Sequence, residues 1–496
     1  MMILSTLLAL LVFPLEGMLA LRLVMKKKSI LSLLEHIAYG FLLGGALSAF
    51  LLFWAMLFGL PLTFVGFAIG HFVLILLLLI FSFMRFGIKD IFPRSTFLPL
   101  EPSESRRPSR FLSFILAWLI VWTAVKIVAG GYDLFVTPAF YNDIHANWNM
   151  RAKVFYTNES LLLNRPVSDE FFFGGRVPSY PLTVYFAKVW IAQAVGSWHE
   201  GAVDSIHLLW FFSLLAIFFV ALRRELGQMW AVIGTFTIVS IPLLLIHGVN
   251  AYTDVLMAAH LFAVLYAFYR WMITEDQSER SEWLKIFAVM TAAMLFVKNE
   301  ALLIFLPPIA LLFFIALLPW KKRTTGRAGF FSTLSLRIAA ALQNRDLWLW
   351  VGCVSLVLLP WTLFKITHGL TFGNATEVSR LTLTPNPEVI RAVEGDLLYT
   401  GSYLLFFPLF LLLLAIGLRP LRSKAVTLLT CFFLIVLVGE FCIYWLTPLS
   451  VEAIQHTGFG RGMIHILPIG VFVSTVILAR LFASDTAHIS RGEKKS

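Results

Sequence analysis

Apolar runs of about twenty residues follow one another along almost the whole chain, and the polar residues between them are few and concentrated. A helix of about twenty residues is what crosses the hydrocarbon of a bilayer, and the two-residue alternation of a membrane β-barrel is missing. The pattern therefore predicts an all-α, polytopic membrane protein. The runs fall at 2–24, 34–58, 61–86, 111–131, 206–222, 228–247, 255–272, a pair within 283–320, 347–365, 399–418, 425–446 and 463–482, about thirteen transmembrane helices. Basic residues collect at alternate ends: Lys26, Lys27 and Lys28, then Arg94, Arg106 and Arg107, then Arg223 and Arg224, Arg270, and Lys321, Lys322 and Arg323. By the positive-inside rule those ends are cytoplasmic and the N-terminus is outside.

The segment from Val177 to Gly196 tests that scheme. Its apolar run is about fifteen residues with Lys188 at the centre, short for a crossing. If it crossed, Arg223, Arg224 and the later basic loops would all invert. It reads instead as an interfacial helix within a large external loop, 131–205. The chain then divides into residues 1–110, three N-terminal spans and a basic cytoplasmic linker; 111–330, a transmembrane module built round the 131–205 loop; and 331–496, further spans with a second external loop at 366–398 and a basic cytoplasmic tail.

Composition supports the membrane assignment, since 59% of the residues are hydrophobic and only 14% charged, against about a quarter charged in soluble domains. The formal charge of +11 does not imply nucleic acid. Its basic residues stand at the ends of apolar runs, where they set topology and meet anionic lipid. Cys353, Cys431 and Cys442 lie inside apolar runs and indicate neither a disulfide framework nor a zinc site. The first run lacks a cationic leader and a cleavage site, so it is expected to be a retained helix.

Polar sequence is scarce here and therefore informative. The stretch YNDIHANWNMRAK, Tyr141 to Lys153, opens the external loop and reads as a short helix capped by Asn142 or Asp143. Asp143, Asn147 and Arg151 would share one face, with Trp148, Ala152 and Phe155 on a second. A carboxylate just outside the membrane suits a general base; a plain helix cap is the other reading. Asp254, in the external turn HGVNAYTD, carries the same two readings. Lys298 and Glu300 interrupt an apolar stretch, where ionisable groups face a polar cavity or each other. Lys298 would hold a lipid phosphate or neutralise Glu300. In HTGFGRGMIHILP, His456, Arg461 and His465 stand where the last span begins. Arginine grips phosphate through paired hydrogen bonds but also snorkels to headgroups, and Gly458, Gly460 and Gly462 would allow close backbone approach to a ligand. With no strand before them, they are not a nucleotide-binding loop.

Taken in order, these stretches resemble the polytopic glycosyltransferases of the C-type fold, which take sugar from a polyprenyl-phosphate carrier. The similarity is distant and extends to the protein O-mannosyltransferases and the aminoarabinose lipid A transferases. Asp143, Trp148 and Ala152-Lys153 resemble that family's Asp, Trp and Lys-Ala pattern; Tyr180-Pro181 resembles its Tyr-Pro-Pro element, with Leu182 in place of the second proline. The segment YTDVL around Asp254 resembles the external Asp segment. Lys298-Asn299-Glu300 resembles Lys-Asn-Glu-Gly with Ala301 for glycine, and Arg461 with Pro468 the closing Arg and Pro. The resemblance spans roughly residues 111–480, and the three helices before it set the chain apart from the O-mannosyltransferases. It implies transfer of one sugar to a hydroxyl of a glycan, lipid or protein acceptor, with inversion. Asp143 is the implied base, Lys298 and Arg461 hold the donor phosphate, and Trp148, Arg151, Lys153, Tyr180, Asp254, Glu300 and His456 bind or support substrate. The external loops contain no Asp-x-Asp metal motif, so neither metal nor other cofactor is expected. The resemblance and the short loops imply a bacterial cytoplasmic membrane with the site on its outer face. A transporter or flippase of polyprenyl-linked glycans would use the same basic residues and the same lipid groove, and is the alternative.

Overall fold

Helix is the only regular secondary structure among the described residues, as expected where no water is present to satisfy an open sheet edge. The computed structural model describes the chain apart from residues 26–28, 92–94, 103–108, 142, 170, 175–176, 319–329, 374–384, 418–420, 422 and 493–496. Asn142 and the basic groups expected at 26–28, Arg94, Arg106, Arg107 and 321–323 lie outside the described residues.

The chain begins with α1 (Met2–Val24), α2 (Leu33–Leu57), α3 (Phe64–Phe86) and α4 (Arg110–Val136). Two short helices, α5 (Met150–Asn158) and α6 (Thr183–Val195), occupy the loop that follows. Then come α7 (Glu200–Leu226), α8 (Gln228–Ser240), α9 (Pro242–Gly248), α10 (Asp254–Ile273), α11 (Gln277–Met294), α12 (Leu306–Leu317), α13 (Phe330–Leu342) and α14 (Arg345–Thr367). The last part contains α15 (Pro387–Glu394), α16 (Phe406–Ile416), α17 (Lys424–Leu446), α18 (Ser450–Ile454) and α19 (Phe459–Gly492).

Among the described residues nine helices are long and apolar enough to cross a membrane: α1, α2, α3, α4, α7, α10, α14, α17 and α19. The pair α8 and α9, bent by 83°, makes a tenth if counted as one span. The remaining runs do not meet that length and polarity among the described residues, for physical reasons. Glu279, Arg280, Glu282 and Lys285 cut into the start of α11, while Ala301–Leu317 and Phe406–Ile416 are apolar but short.

Small residues bring the first two helices together. A Cβ on Gly17 would run into the Gly40 carbonyl, and one on Gly44 into the carbonyl of Phe13, the close approach through which membrane helices gain packing. At the centre stand α10, buried from Asp254 to Tyr269, and α19, buried from Gly462 to Ile477. Helices apolar all round are found inside a bundle, and each of these begins at the polar cluster described below. Helices α3 and α4 lie at the periphery, exposing Phe72, Phe81, Trp118 and Trp122. At one end of the bundle Arg224 pairs with Glu35 at 2.6 Å, Arg223 with Glu101 at 3.0 Å and Arg270 with Glu225 at 2.5 Å. These are ends the charge pattern assigns to the cytoplasm.

The interfacial reading of α6 needs correction. The helix has 13 residues, short for a crossing, but Thr183 to Ala192 are all buried rather than facing a surface. Lys188 is buried because it has a partner within the protein: Asp204 of α7 at 2.7 Å, beside the Asn149 side chain.

Candidate active site

At the other end, the first turns of α10 and α19 and the break between α11 and α12 meet. Asp254, the first residue of α10, is 1% exposed. Its Oδ1 accepts from Lys298 Nζ at 2.9 Å and pairs with His465 Nε2 at 3.2 Å. Its Oδ2 accepts from Arg461 Nη2 at 3.0 Å and pairs with His247 Nδ1 at 2.9 Å. A carboxylate can only accept, so each imidazole carries its proton on the nitrogen facing Asp254. Lys298 also meets Glu300 at 3.0 Å. Burial disfavours the Lys298 ammonium, but Asp254 and Glu300 more than offset it and hold its pKa above the ordinary lysine value. Burial likewise opposes ionisation of Glu300, and Lys298 overrides it, keeping this carboxyl below its usual range.

Arg461 carries the cluster outward. Its Nη2 reaches Asp143 Oδ2 at 2.8 Å, and the same oxygen accepts from Trp148 Nε1 at 2.9 Å. The Arg461 and Asp143 side chains are 30% and 31% exposed, so the site has a dry floor at Asp254 and Lys298 and a wet rim at Asp143. Tyr252 stacks on His247 with ring centroids 4.0 Å apart and lies beneath the Arg461 guanidinium at 5.1 Å. With neutral histidines, Asp143, Asp254 and Glu300 against Lys298 and Arg461 give a formal charge of −1.

Neither acid caps a helix through its side chain: Asp143 stands at the N-cap position of the turn Ile144–Asn149 but makes no side-chain cap bond, and Thr253, not Asp254, stands at the cap of α10. Lys298 does neutralise Glu300, and it reaches Asp254 as well.

The backbone around the acids is irregular. π-helical turns cover Ile144–Asn149, directly after Asp143, and Ala301–Phe305, directly after Glu300; a third covers Gly395–Tyr399. Such turns insert an extra residue and concentrate at functional sites. They also break the four-residue register, so Arg151 does not share a face with Asp143 as the sequence reading expects. Instead the Arg151 guanidinium is wholly buried and donates to the carbonyls of Phe173, Val177, Pro178 and Tyr180. It organises the loop and is not available to substrate. Tyr180 packs its ring on Trp148 at 4.9 Å, and so supports Asp143 through that indole. Lys153 is exposed and takes no part in these contacts.

His456, expected among the substrate-binding or supporting residues, makes its contact away from the Asp254 cluster. A left-handed φ of 58° turns the chain there, and the imidazole pairs with Asp396 at 2.8 Å. Burial raises the Asp396 carboxyl above its usual range, with the His456 hydrogen bond opposing. The glycines serve packing: a Cβ on Gly462 would collide with the Glu440 carboxyl of α17, and one on Gly458 would crowd Glu452 and Tyr444.

The structure thus brings together Asp143, Trp148, Asp254, Lys298, Glu300 and Arg461, with Tyr180 behind them. Sequence reasoning assigned no role to His465, His247, Glu440 or Asp396. His465 lies four residues after Arg461 and hence on its face of the helix. Glu440 is a lone carboxylate inside an apolar run, a pattern that marks function by default. His247 carried no such signal. Among the described residues no group of three or more His, Cys, Asp or Glu is arranged to hold a metal ion.

Neither a protein-family model nor a curated protein sequence matches this chain. Two solved structures are similar to it in fold. ArnT from Cupriavidus metallidurans bound to undecaprenyl phosphate shares 14% identity at a TM-score of 0.48, over 72% of this chain and 60% of that one. The same protein in the apo state gives 14% identity and a TM-score of 0.49, over 74% of this chain and 60% of that one. The chain thus spans only 60% of the length of these neighbours. Both are likenesses of overall fold, so the chemistry of the site is read from its own residues.

Proposed function

We propose that this chain is a membrane glycosyltransferase that moves one sugar from a polyprenyl-phosphate carrier to a hydroxyl of a glycan, lipid or protein acceptor. The observation that carries the reading is the grading of the cluster: a part-exposed carboxylate, Asp143, stands beside two cations rooted in a buried floor, at one end of long apolar helices. Asp143 Oδ2 is occupied by Arg461 and Trp148, and among the described residues no hydrogen bond reaches Oδ1. In this reading Oδ1 takes the proton of the acceptor hydroxyl as that oxygen bonds to the anomeric carbon. The bond from that carbon to the phosphate oxygen breaks, and its electron pair stays on the carrier phosphate. Lys298 and Arg461 stabilise the charge that develops there, positioned beforehand by Asp254. A single displacement of this kind inverts the anomeric centre. The motif order and the positive-inside pattern support the donor class and an active site on the outer face.

The test is transfer by purified protein supplied with radiolabelled polyprenyl-phosphate sugars and crude envelope acceptor, beside Asp143→Asn. General-base catalysis contributes about 10²–10⁴-fold, so Asp143→Asn should lose at least about a hundredfold in rate. A folded Asp143→Asn protein with full transfer defeats the assignment. Saturable carrier binding without transfer by the unaltered protein would favour carriage of the lipid over chemistry on it.

A further inference from the structure

Outward from Arg461 the aromatic residues form a row. Tyr252, beneath the Arg461 guanidinium and stacked on His247, meets the Tyr141 ring at 5.4 Å, and Tyr141 meets the Phe140 ring at 4.2 Å. Exposure rises along the row: Tyr252 and Tyr141 are half-buried, and Phe140 is 65% exposed. In the chain, Tyr141 stands two residues before Asp143. The row rests on a small core of its own, in which Leu134, Ile144 and Ala251 are buried against Tyr141 and Tyr252. Its backbone is pinned as well, since the Ala139 N–H donates to Glu200 Oε2 at 3.0 Å and the His145 N–H to the Tyr141 carbonyl at 3.0 Å. A fixed row of rings beside the proposed base is a platform for a ligand.

The edge of the row says which kind of ligand. Rings at a membrane boundary often anchor a protein among the headgroups, but an anchor needs neither a polar edge nor contact with a reacting centre, and this row has both. Asp133 Oδ1 accepts from Thr137 and the Asn250 amide donates to the Ile246 carbonyl, which leaves Asp133 Oδ2, Asn250 Oδ1 and the hydroxyls of Tyr141 and Tyr252 without a hydrogen bond among the described residues. Asp133, Thr137, Phe140, Tyr141 and Asn250 line one shallow hollow, so a ligand lies across it rather than inside it. Asp204 lines it too, with its charge met by Lys188. The hollow has carboxylates and no open cation among its described lining, which disfavours a phosphate or other anion there. An acyl chain would leave the oxygen atoms unused. A pyranose ring fits both parts: its C–H face packs on aromatic rings, and its hydroxyls donate to carboxylate, amide and phenol oxygens.

We propose that Phe140, Tyr141 and Tyr252, edged by Asp133 and Asn250, form the acceptor subsite, and that the acceptor is a neutral carbohydrate. This rests on the transferase reading and narrows its acceptor from a glycan, lipid or protein to a glycan. A sugar stacked on Tyr141 approaches Asp143 from the rim. There it meets Oδ1, the oxygen that Arg461 and Trp148 leave open.

The full chain in zwitterionic nanodiscs is titrated, without donor, with a panel of neutral trisaccharides. It is then assayed for transfer from radiolabelled polyprenyl-phosphate sugars to a lipid-linked neutral oligosaccharide, a peptide bearing serine and threonine, and a diacylglycerol. The unaltered protein should bind saccharide and label the oligosaccharide alone. Phe140→Ala and Tyr141→Leu should each weaken saccharide binding and raise the acceptor KM about three- to tenfold, the loss expected for one ring contact, with the donor KM unchanged. Phe140→Trp, which keeps a ring, should retain the affinity. If Tyr141→Leu disturbs the small core and fails to fold, Phe140→Ala, at an exposed position, carries the test alone. Ring variants that lose heat resistance or membrane retention but keep saccharide affinity and acceptor KM would show an anchoring role and overturn the subsite. Transfer to the peptide or the diacylglycerol, beside no saccharide binding, overturns the subsite and leaves the transferase reading standing. Neither saccharide binding nor transfer to any acceptor overturns both.

Discussion

Asp254→Asn strikes the site at its centre. Asparagine keeps the shape, removes the charge, and turns one of two acceptor oxygens into a donor. Four groups now meet that carboxylate: Lys298, Arg461, His247 and His465. Two of them have somewhere to fall back, Lys298 on Glu300 at 3.0 Å and Arg461 on Asp143 at 2.8 Å. Removing one partner of a buried ion pair costs about 3–5 kcal/mol. The Arg461 share is smaller, because a pair open to solvent contributes about 1 kcal/mol or less and that side chain is 30% exposed. With both fallbacks, the expected loss is at the lower end, about 3 kcal/mol. The assay is the fraction of purified protein that stays monodisperse after heating, followed by size-exclusion chromatography, together with transfer activity. The variant should melt at a lower temperature and lose transfer with Asp143 intact, because Lys298 and Arg461 are no longer held between the acids. Combined with Lys298→Met it should be non-additive by about 0.5–3 kcal/mol, as expected for residues in one network. Wild-type stability with wild-type transfer, or strict additivity, would refute the argument that Asp254 positions both cations.

Two further outcomes follow from individual contacts. Trp148→Phe keeps a ring against Tyr180 and Tyr185 but removes the N–H donated to Asp143; kcat should fall about tenfold, the worth of one hydrogen bond to a charged group, with little change in melting temperature, and an unchanged kcat would reduce Trp148 to packing. Asp204→Asn leaves the fully buried Lys188 without its counter-charge and should destabilise by about 3–5 kcal/mol; Lys188→Met combined with Asp204→Leu should recover most of that, and equal heat resistance of all three proteins would show that the pair does not hold α6 against α7.

The long spans were legible because the bilayer leaves little choice: runs at 2–24 and 425–446 become Met2–Val24 and Lys424–Leu446 almost residue for residue. The runs that failed to become full spans were the ones with charge or brevity in them, as in α11 and α16. Asp143, Asp254, Lys298 and Arg461 were legible for a related reason. Burying a charge in an apolar bundle is expensive, so the few that occur stand out even when they lie hundreds of residues apart.

Which partner each charge chooses is a different matter, decided by backbone details with little sequence signature. Regular helix from Asp143 onward would have put Arg151 on the carboxylate's face, in keeping with the four-residue register. The π-turn over Ile144–Asn149 sends it to the carbonyls of the loop instead, and leaves Asp143 to Arg461, 318 residues away in the chain. The 83° bend between α8 and α9, which Pro242 marks at the first turn of α9, likewise accompanies His247 to Asp254, and no periodicity announces it. Composition therefore limits which residues can form the site, while local departures from ideal helix decide how they pair. Those departures place Arg461 between the buried acid and the exposed one, the position from which the proposed chemistry needs it to act.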